Sequence, residues 1–241
     1  MPDAIFAHSR LAPIYDAFDG AREDLDAYLA IIEEFGADRI LDIGCGTGNL
    51  AVLLAGRGHT VAGIDPAAES LEVAKSKDPT GKITWIHGDG TKAPKLNFDL
   101  AVLTGNVAQV FLTPEDWAST LGGIHDALRP EGYLVFEIRR PEYRAWEGWA
   151  RAAPMTLDLP EIGKVTQTLR VTEIKLPYVS FRYTYHFEAD GAQVTSDSTL
   201  WFRDRTEIET SLTECGYTIQ EIREAPDRPN REYVFITKRE T

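Results

Sequence analysis

ILDIGCGTGNL, residues 40–50, runs from an apolar segment through Asp42 into three glycines at alternate positions, Gly44, Gly46 and Gly48. Short continuous apolar runs read as buried strands, and glycine supplies the left-handed backbone of a tight turn. The stretch therefore predicts a strand over 39–44, a sharp turn and a helix over about 48–57. Outward from it the alternation repeats. TVAGID (60–65) is a second strand, and Pro66 suits the first turn of a helix over 67–77. KITWIHGD (82–89), FDLAVLTG (98–105) and YLVFEIRR (133–140) read as three more strands. Pro114 opens a helix that reaches about Leu128, and RPEG (129–132) reads as the turn after it. Strands alternating with helices imply an α/β, doubly wound, mostly parallel sheet, with ligands at the C-terminal strand ends.

Two regions break the alternation. Residues 4–36 read as two helical segments split by Asp19-Gly20, so 1–36 is expected to form a helical cap. Residues 151–203 are expected to form an antiparallel β insert after the fifth strand, β-rich from 163 onward. In FRYTYHF, Phe181, Tyr183, Tyr185 and Phe187 fall on one face, with Arg182, Thr184 and His186 on the other. One such face would cover a substrate or pair with a second subunit in a homodimer. A helix over 204–214 and strands over 217–224 and 232–238 complete the main domain, expected to comprise 37–150 and 204–241.

Composition narrows the partners. Thirty-eight acidic against 25 basic residues give a formal charge of −13, a balance that speaks against nucleic acid. MPDAIFAHSRLAPIYDAF lacks the basic and apolar regions of a signal peptide, and no apolar run reaches the ~18 residues of a membrane span. Two cysteines, Cys45 and Cys215, are too few for a disulfide framework, and no Cys/His cluster has metal-ligand spacing. The expected setting is cytoplasmic, with neither metal nor membrane.

Glycine-rich strand-to-helix turns hold NAD, ATP or S-adenosylmethionine. The G-K-[ST] of phosphate loops is missing, and G-x-G-x-G departs from the dinucleotide spacing G-x-G-x-x-G. Asp42 discriminates further. A pyrophosphate has no use for a carboxylate at the strand end, whereas the ammonium and sulfonium of S-adenosylmethionine do. Helix capping or turn formation is its other reading. Asp65, ending the second strand, suits the two hydroxyls of a ribose and does not choose between ligands. Asp89, in HGDG, suits an adenine amino group or simply a turn. Three acids ending three successive strands are more specific than any one alone.

These motifs resemble a class I S-adenosylmethionine-dependent methyltransferase across essentially the whole chain. LDIGCGTGNL is similar to the family's first motif, GID to its ribose acid, GDG to its adenine corner, and LRPEGYLVF to its turn and fifth strand. The resemblance implies a seven-stranded sheet whose last strand, EYVFITK, runs antiparallel. LAPIYDAF and the insert resemble the bacterial small-molecule branch that includes aminosugar N-methyltransferases, which favours nitrogen over oxygen as acceptor. It implies that Gly44, Cys45, Gly46 and Gly48 admit the methionine part of the cofactor and that Asp42 holds its ammonium. Asp65 and Pro66 would serve the ribose, and Asp89 and Gly90 the adenine; Thr104 and Gly105 follow the fourth strand beneath the reacting methyl. The family's Asn/Asp-Pro-Pro-Tyr/Phe motif for nucleic-acid bases and protein glutamine is absent there, Thr104-Gly105-Asn106-Val107 standing in its place.

On the acceptor side, Tyr15 resembles the tyrosine that closes over the methyl group, and Asn106 would face the reaction centre; both are candidate catalytic residues. Glu137 and Arg139 end the fifth strand and, with His186 of the insert, are candidate substrate ligands. Cys45 has no base partner and reads as a small residue that fits. The expected activity is methyl transfer from S-adenosylmethionine, by in-line displacement, to a nitrogen or oxygen of a small molecule. The rivals are a non-catalytic cofactor-binding module and a nicotinamide-dependent oxidoreductase.

Overall fold

The computed structural model describes residues 1–240. The N-terminal segment holds α1 (Ala4–Ala7), a 3-10 turn (Ala12–Ile14), α2 (Tyr15–Asp19) and α3 (Leu25–Glu34). The expected first helix is thus broken into three pieces. Pro13 interrupts one junction, and Gly20, with φ of +77°, ends α2. The alternating part follows as β1 (Arg39–Ile43), α4 (Asn49–Gly56), β2 (Thr60–Asp65), α5 (Ala68–Ser76), β3 (Thr84–His87), β4 (Phe98–Leu103), α6 (Pro114–Ala127) and β5 (Leu128–Arg139). Next come α7 (Ala145–Trp149) and strands β6 (Met155–Leu159), β7 (Gly163–Lys175), β8 (Tyr178–Phe187) and β9 (Gln193–Trp201). The chain closes with α8 (Arg205–Glu214), β10 (Tyr217–Glu224) and β11 (Glu232–Arg239).

The main sheet has seven strands in the order β10-β11-β5-β4-β1-β2-β3. Only β11 runs against the rest, paired antiparallel to both β5 and β10. This is the doubly wound, mostly parallel sheet expected from the alternation of strands and helices. Strand order reverses at the β4–β1 junction, which puts the open crevice beside the end of β1. RPEG (129–132) is not a separate turn. Phe98 pairs with Leu128 and Leu100 with Tyr133, so residues 129–132 bulge out within β5, Glu131 taking a left-handed φ of +65°.

Strand periodicity builds the two faces of the core. Leu41, Ile43, Leu103 and Phe136 pack on α6 and α8 through Trp117, Leu121, Ile124, Ile208 and Leu212. Ile40, Val102, Val135 and Val234 pack on α3 and α4 through Leu25, Tyr28, Leu29, Leu50 and Leu54. Helix starts are locally encoded: Thr113 and Asp204 accept the third backbone N–H of α6 and α8, at 3.1 and 2.8 Å. No described helix is long and apolar enough to cross a membrane.

The second sheet, β6-β7-β8-β9, is antiparallel. Its aromatic face turns inward: Tyr185 and Phe187 join Ile5, Leu11, Ile14 and Phe18, while Phe181 packs on Trp149. The N-terminal segment is therefore shared between the two sheets, α1 and α2 lying on the insert and α3 on the main sheet.

Candidate functional site

The turn after β1 is held by backbone contacts. The amides of Gly44 and Cys45 donate to the Ile64 carbonyl, at 2.8 and 3.2 Å, and the Gly48 amide donates to the Cys45 carbonyl at 2.8 Å. Gly44, Gly46 and Gly48 all have positive φ, of +68°, +53° and +80°. Their absent side chains serve different purposes, however. A Cβ on Gly44 would lie 2.7 Å from Val107, and one on Gly48 would lie 2.6 Å from Trp85 and 2.9 Å from Ala74. These two glycines admit other parts of the protein. Gly46, by contrast, meets nothing within 4 Å, and Gly105 meets only an Arg22 nitrogen at 3.9 Å. Gly46 and Gly105 thus border open space on either side of the β4–β1 junction. Gly90 also differs from expectation, because a Cβ there would lie 2.7 Å from Thr120 of α6. Its close approach is to a helix.

Asp42 lies on the α3 face, 1% exposed, and one carboxylate oxygen has no partner. Burial, with Asp65 adding to it, raises its pKa to about 7. A buried acceptor beside an open glycine turn fits a cationic ligand group. Asp65 is 7% exposed and already bound within the turn, accepting from the Gly46 and Ala67 amides at 2.8 Å each. Burial nevertheless raises its pKa. Both oxygens keep a second lone pair, so the carboxylate can also receive hydroxyls from the cleft. Pro66 is exposed, and its carbonyl lies 3.0 Å from His87 Nε2. Asp89 is exposed and accepts from the amide and hydroxyl of Thr91, so it caps its own short turn and leaves Oδ2 open. The Cys45 thiol is pushed well up by burial, which excludes a resting thiolate.

Above the turn, α2 is latched to α4 and α5. Asp16 accepts from the Thr47 hydroxyl at 2.6 Å, Asn49 Nδ2 at 3.0 Å and Lys77 Nζ at 2.5 Å. Asp16→Ala is expected to speed hydrogen exchange over residues 15–19 about 10-fold, equivalent to ~1.4 kcal/mol of local opening. Unchanged protection would remove the latch. Tyr15 packs against Phe6 with ring centroids 5.3 Å apart. Burial raises its phenol, as it does those of Tyr183 and Tyr185, and the Asp19 charge raises all three further. They are neutral donors at physiological pH. Asp19 and Arg22 were not among the residues expected at the site, whereas Tyr183 and Tyr185 belong to the aromatic face expected to cover a substrate or pair with a second subunit. The aromatic alternation of β8 flags the tyrosines, whereas nothing local marks Arg22.

Several expected residues have different surroundings. Asn106 takes a left-handed φ of +62° and is 2% exposed. Its Nδ2 donates to Glu232 at 3.0 Å, and its amide donates to Glu137 at 3.2 Å, leaving Oδ1 buried and unpartnered. Thr104 is half-buried just before it. Glu137, expected to bind substrate, is fully buried. It accepts from Tyr28 Oη at 2.5 Å and pairs with Arg228 at 3.3 Å, so tertiary partners from α3 and the β10–β11 connection consume it. Burial and Glu232 raise its pKa. His186, also expected at the substrate, alternates with Tyr185 and Phe187 and so lies on the face opposite Tyr15. Arg139 ends β5: it is half-buried, donates to Gln109 Oε1 at 3.1 Å and lies 5.4 Å from the Trp149 ring centre.

Comparison with known proteins follows the same geometry. Residues 40–132 match the model of a methyltransferase domain. An uncharacterized methyltransferase of Oceanobacillus iheyensis is 34% identical over 133 residues, which cover 52% of this chain and 62% of that protein. A putative methyltransferase of Geobacillus sp. is 27% identical over 216 residues, 85% of each chain. In fold, the chain is similar to the sugar N-methyltransferase KedS8 from Streptoalloteichus sp., with a TM-score of 0.78, 17% identity, and 91% of this chain and 88% of that one covered.

Proposed function

We propose that this chain, whose residues 40–132 match a methyltransferase domain, moves a methyl group from S-adenosylmethionine to a nitrogen or oxygen of a small molecule. The observation that carries the reading is Asp42, a buried carboxylate with an unpartnered oxygen beside a turn whose central glycine borders open space. The donor set fits this cofactor. Asp42 would hold the ammonium, Asp65 the ribose hydroxyls and Asp89 Oδ2 the adenine amine, while Gly46 and Gly105 let the backbone come close. When bound, the cofactor supplies a sulfonium-activated methyl, an electrophile that needs no further activation.

The chain's own work is alignment, which can be worth on the order of 7–11 kcal/mol in a displacement. α2 and the inward face of the insert would close the crevice with Tyr15 and Tyr183, backed by the buried Tyr185. Their neutral phenols can orient an acceptor lone pair by donation and do not themselves remove a proton. Asp19, the carboxylate facing all three, is suited to take the proton of an ammonium acceptor. The fold likeness to a sugar N-methyltransferase supports nitrogen.

Calorimetric titration with S-adenosylhomocysteine, alongside NADH, tests the cofactor. Micromolar binding of the first alone supports the reading, and binding of NADH alone reverses the role given to Asp42. Turnover against amines and phenols then separates an enzyme from a silent binding module. Asp65→Ala is expected to weaken S-adenosylhomocysteine about 10- to 100-fold, the worth of a charge-assisted pair. Unchanged affinity in the folded variant would refute the ribose role.

A further inference from the structure

Arg139 is the cation at the strand ends that no carboxylate of the fold pairs with. The acids nearest in charge to it, Glu137 and Glu232, are committed to Arg228. The neighbouring Arg140 is paired with Glu224, and Arg22 grips Asp24 through two hydrogen bonds of 2.8 Å. Arg203, buried beside the 3-10 turn Val107–Val110 that follows β4, is satisfied by the Ala108 and Phe111 carbonyls. Arg139 instead has a neutral partner. Gln109, 1% exposed, directs Nε2 to the Trp201 carbonyl at 3.3 Å, and this aims Oε1 at Arg139 Nη1. Trp149 backs the guanidinium plane. Among the described residues, Nε and Nη2 of Arg139 have no protein hydrogen-bond partner, and neither is sealed from solvent.

A guanidinium fixed on one edge and free on the other presents a fork suited to an oxyanion. From this arrangement we infer that Arg139 is a specificity determinant which seats an anionic group, carboxylate or phosphate, on the methyl acceptor. The inference rests on the methyltransferase reading and names the substrate class of that same site. The position favours the acceptor over the cofactor's own carboxylate. β5 is separated from the glycine turn's strand by β4, a spacing on the order of 10 Å between β5 and β1. Tyr183 of the insert lies near enough for Arg139 to lower its phenol, which puts the guanidinium on the side closed by the aromatic wall. Burial lowers the pKa of Arg139 despite the distant acids, as expected of a cation awaiting a partner.

Wild-type protein loaded with S-adenosylhomocysteine is titrated by calorimetry with glycine, acetate and benzoate, and separately with inorganic phosphate and phosphoethanolamine, at constant ionic strength. Saturable binding of a carboxylate or a phosphate is expected, the better series identifying the source. Arg139→Gln should weaken it about 10- to 100-fold, with Arg139→Lys intermediate because it keeps charge and loses the fork. S-adenosylhomocysteine affinity should stay within about threefold in both variants, a result that also certifies their folding. Loss of that affinity in folded Arg139→Gln would assign the guanidinium to the cofactor and overturn the inference. So would the absence of saturable anion binding at tens of millimolar while S-adenosylhomocysteine binds normally. Failure of S-adenosylhomocysteine to bind wild-type protein would instead strike the methyltransferase reading itself.

Discussion

Asp42→Asn is expected to stabilise the ligand-free protein near pH 8 by about 1–3 kcal/mol and to weaken S-adenosylhomocysteine about 100-fold or more. The two effects have one cause. Asp42 is 1% exposed, and its pKa is raised from 3.8 to about 7 by burial, with Asp65 contributing. Between those pH values the folded protein holds a proton that the unfolded chain has released. Stability from this group therefore falls as pH rises from about 4 to about 7, by roughly 4 kcal/mol, and is level above. Asparagine removes that ionisation penalty but adds unpaired amide donors, which cost about 1–3 kcal/mol. Ligand binding runs the other way, because the ammonium requires the ionised carboxylate. Wild-type affinity should fall up to about tenfold per pH unit below 7, and the variant should lose this dependence. Denaturant titration and calorimetry from pH 5.5 to 8.5 would show both; a flat wild-type affinity profile would take the ammonium away from Asp42.

Gly48→Ala should destabilise the fold by about 2–5 kcal/mol, combining the ~1–2 kcal/mol of a left-handed non-glycine residue with the ~1–3 kcal/mol of overpacking. Its new methyl would meet the Trp85 ring at 2.6 Å and Ala74 at 2.9 Å. Ala74 is wholly buried, and the half-buried Trp85 ring packs against the core on the α3–α4 face of the sheet. Gly46→Ala provides the contrast. Its φ of +53° costs about the same backbone strain, but no atom lies within 4 Å, so the stability loss should stop at ~1–2 kcal/mol. The methyl would instead project into the cleft and lower S-adenosylhomocysteine affinity. Equal destabilisation by the two variants in denaturant titrations would mean that Trp85 and Ala74 do not close the turn as described.

Local regularities were legible without the structure. The apolar run ending in Asp42, the glycine spacing, Pro114 at the start of a helix and the period-2 aromatics of β8 act over a few residues, and each specifies its own element. The alternation of those elements then implied the doubly wound sheet and its ligand edge. Three-dimensional contacts decided the rest, because burial and pairing are set by partners far away in the chain. Val107, Trp85 and Thr120 occupy the space that makes Gly44, Gly48 and Gly90 necessary, leaving Gly46 and Gly105 to face the cleft. Tyr28 and Arg228 withdraw Glu137 from the substrate side. His186 is taken away by the parity of a strand whose inward face only packing could choose. Arg139 keeps its free edge because every nearby carboxylate has another partner. The sequence by itself determined the fold and the edge at which a ligand sits, since periodicity and turn chemistry are short-range. Which side chains stay free to meet that ligand was decided only by the tertiary structure, since a charge is available only when no other part of the protein has neutralised it.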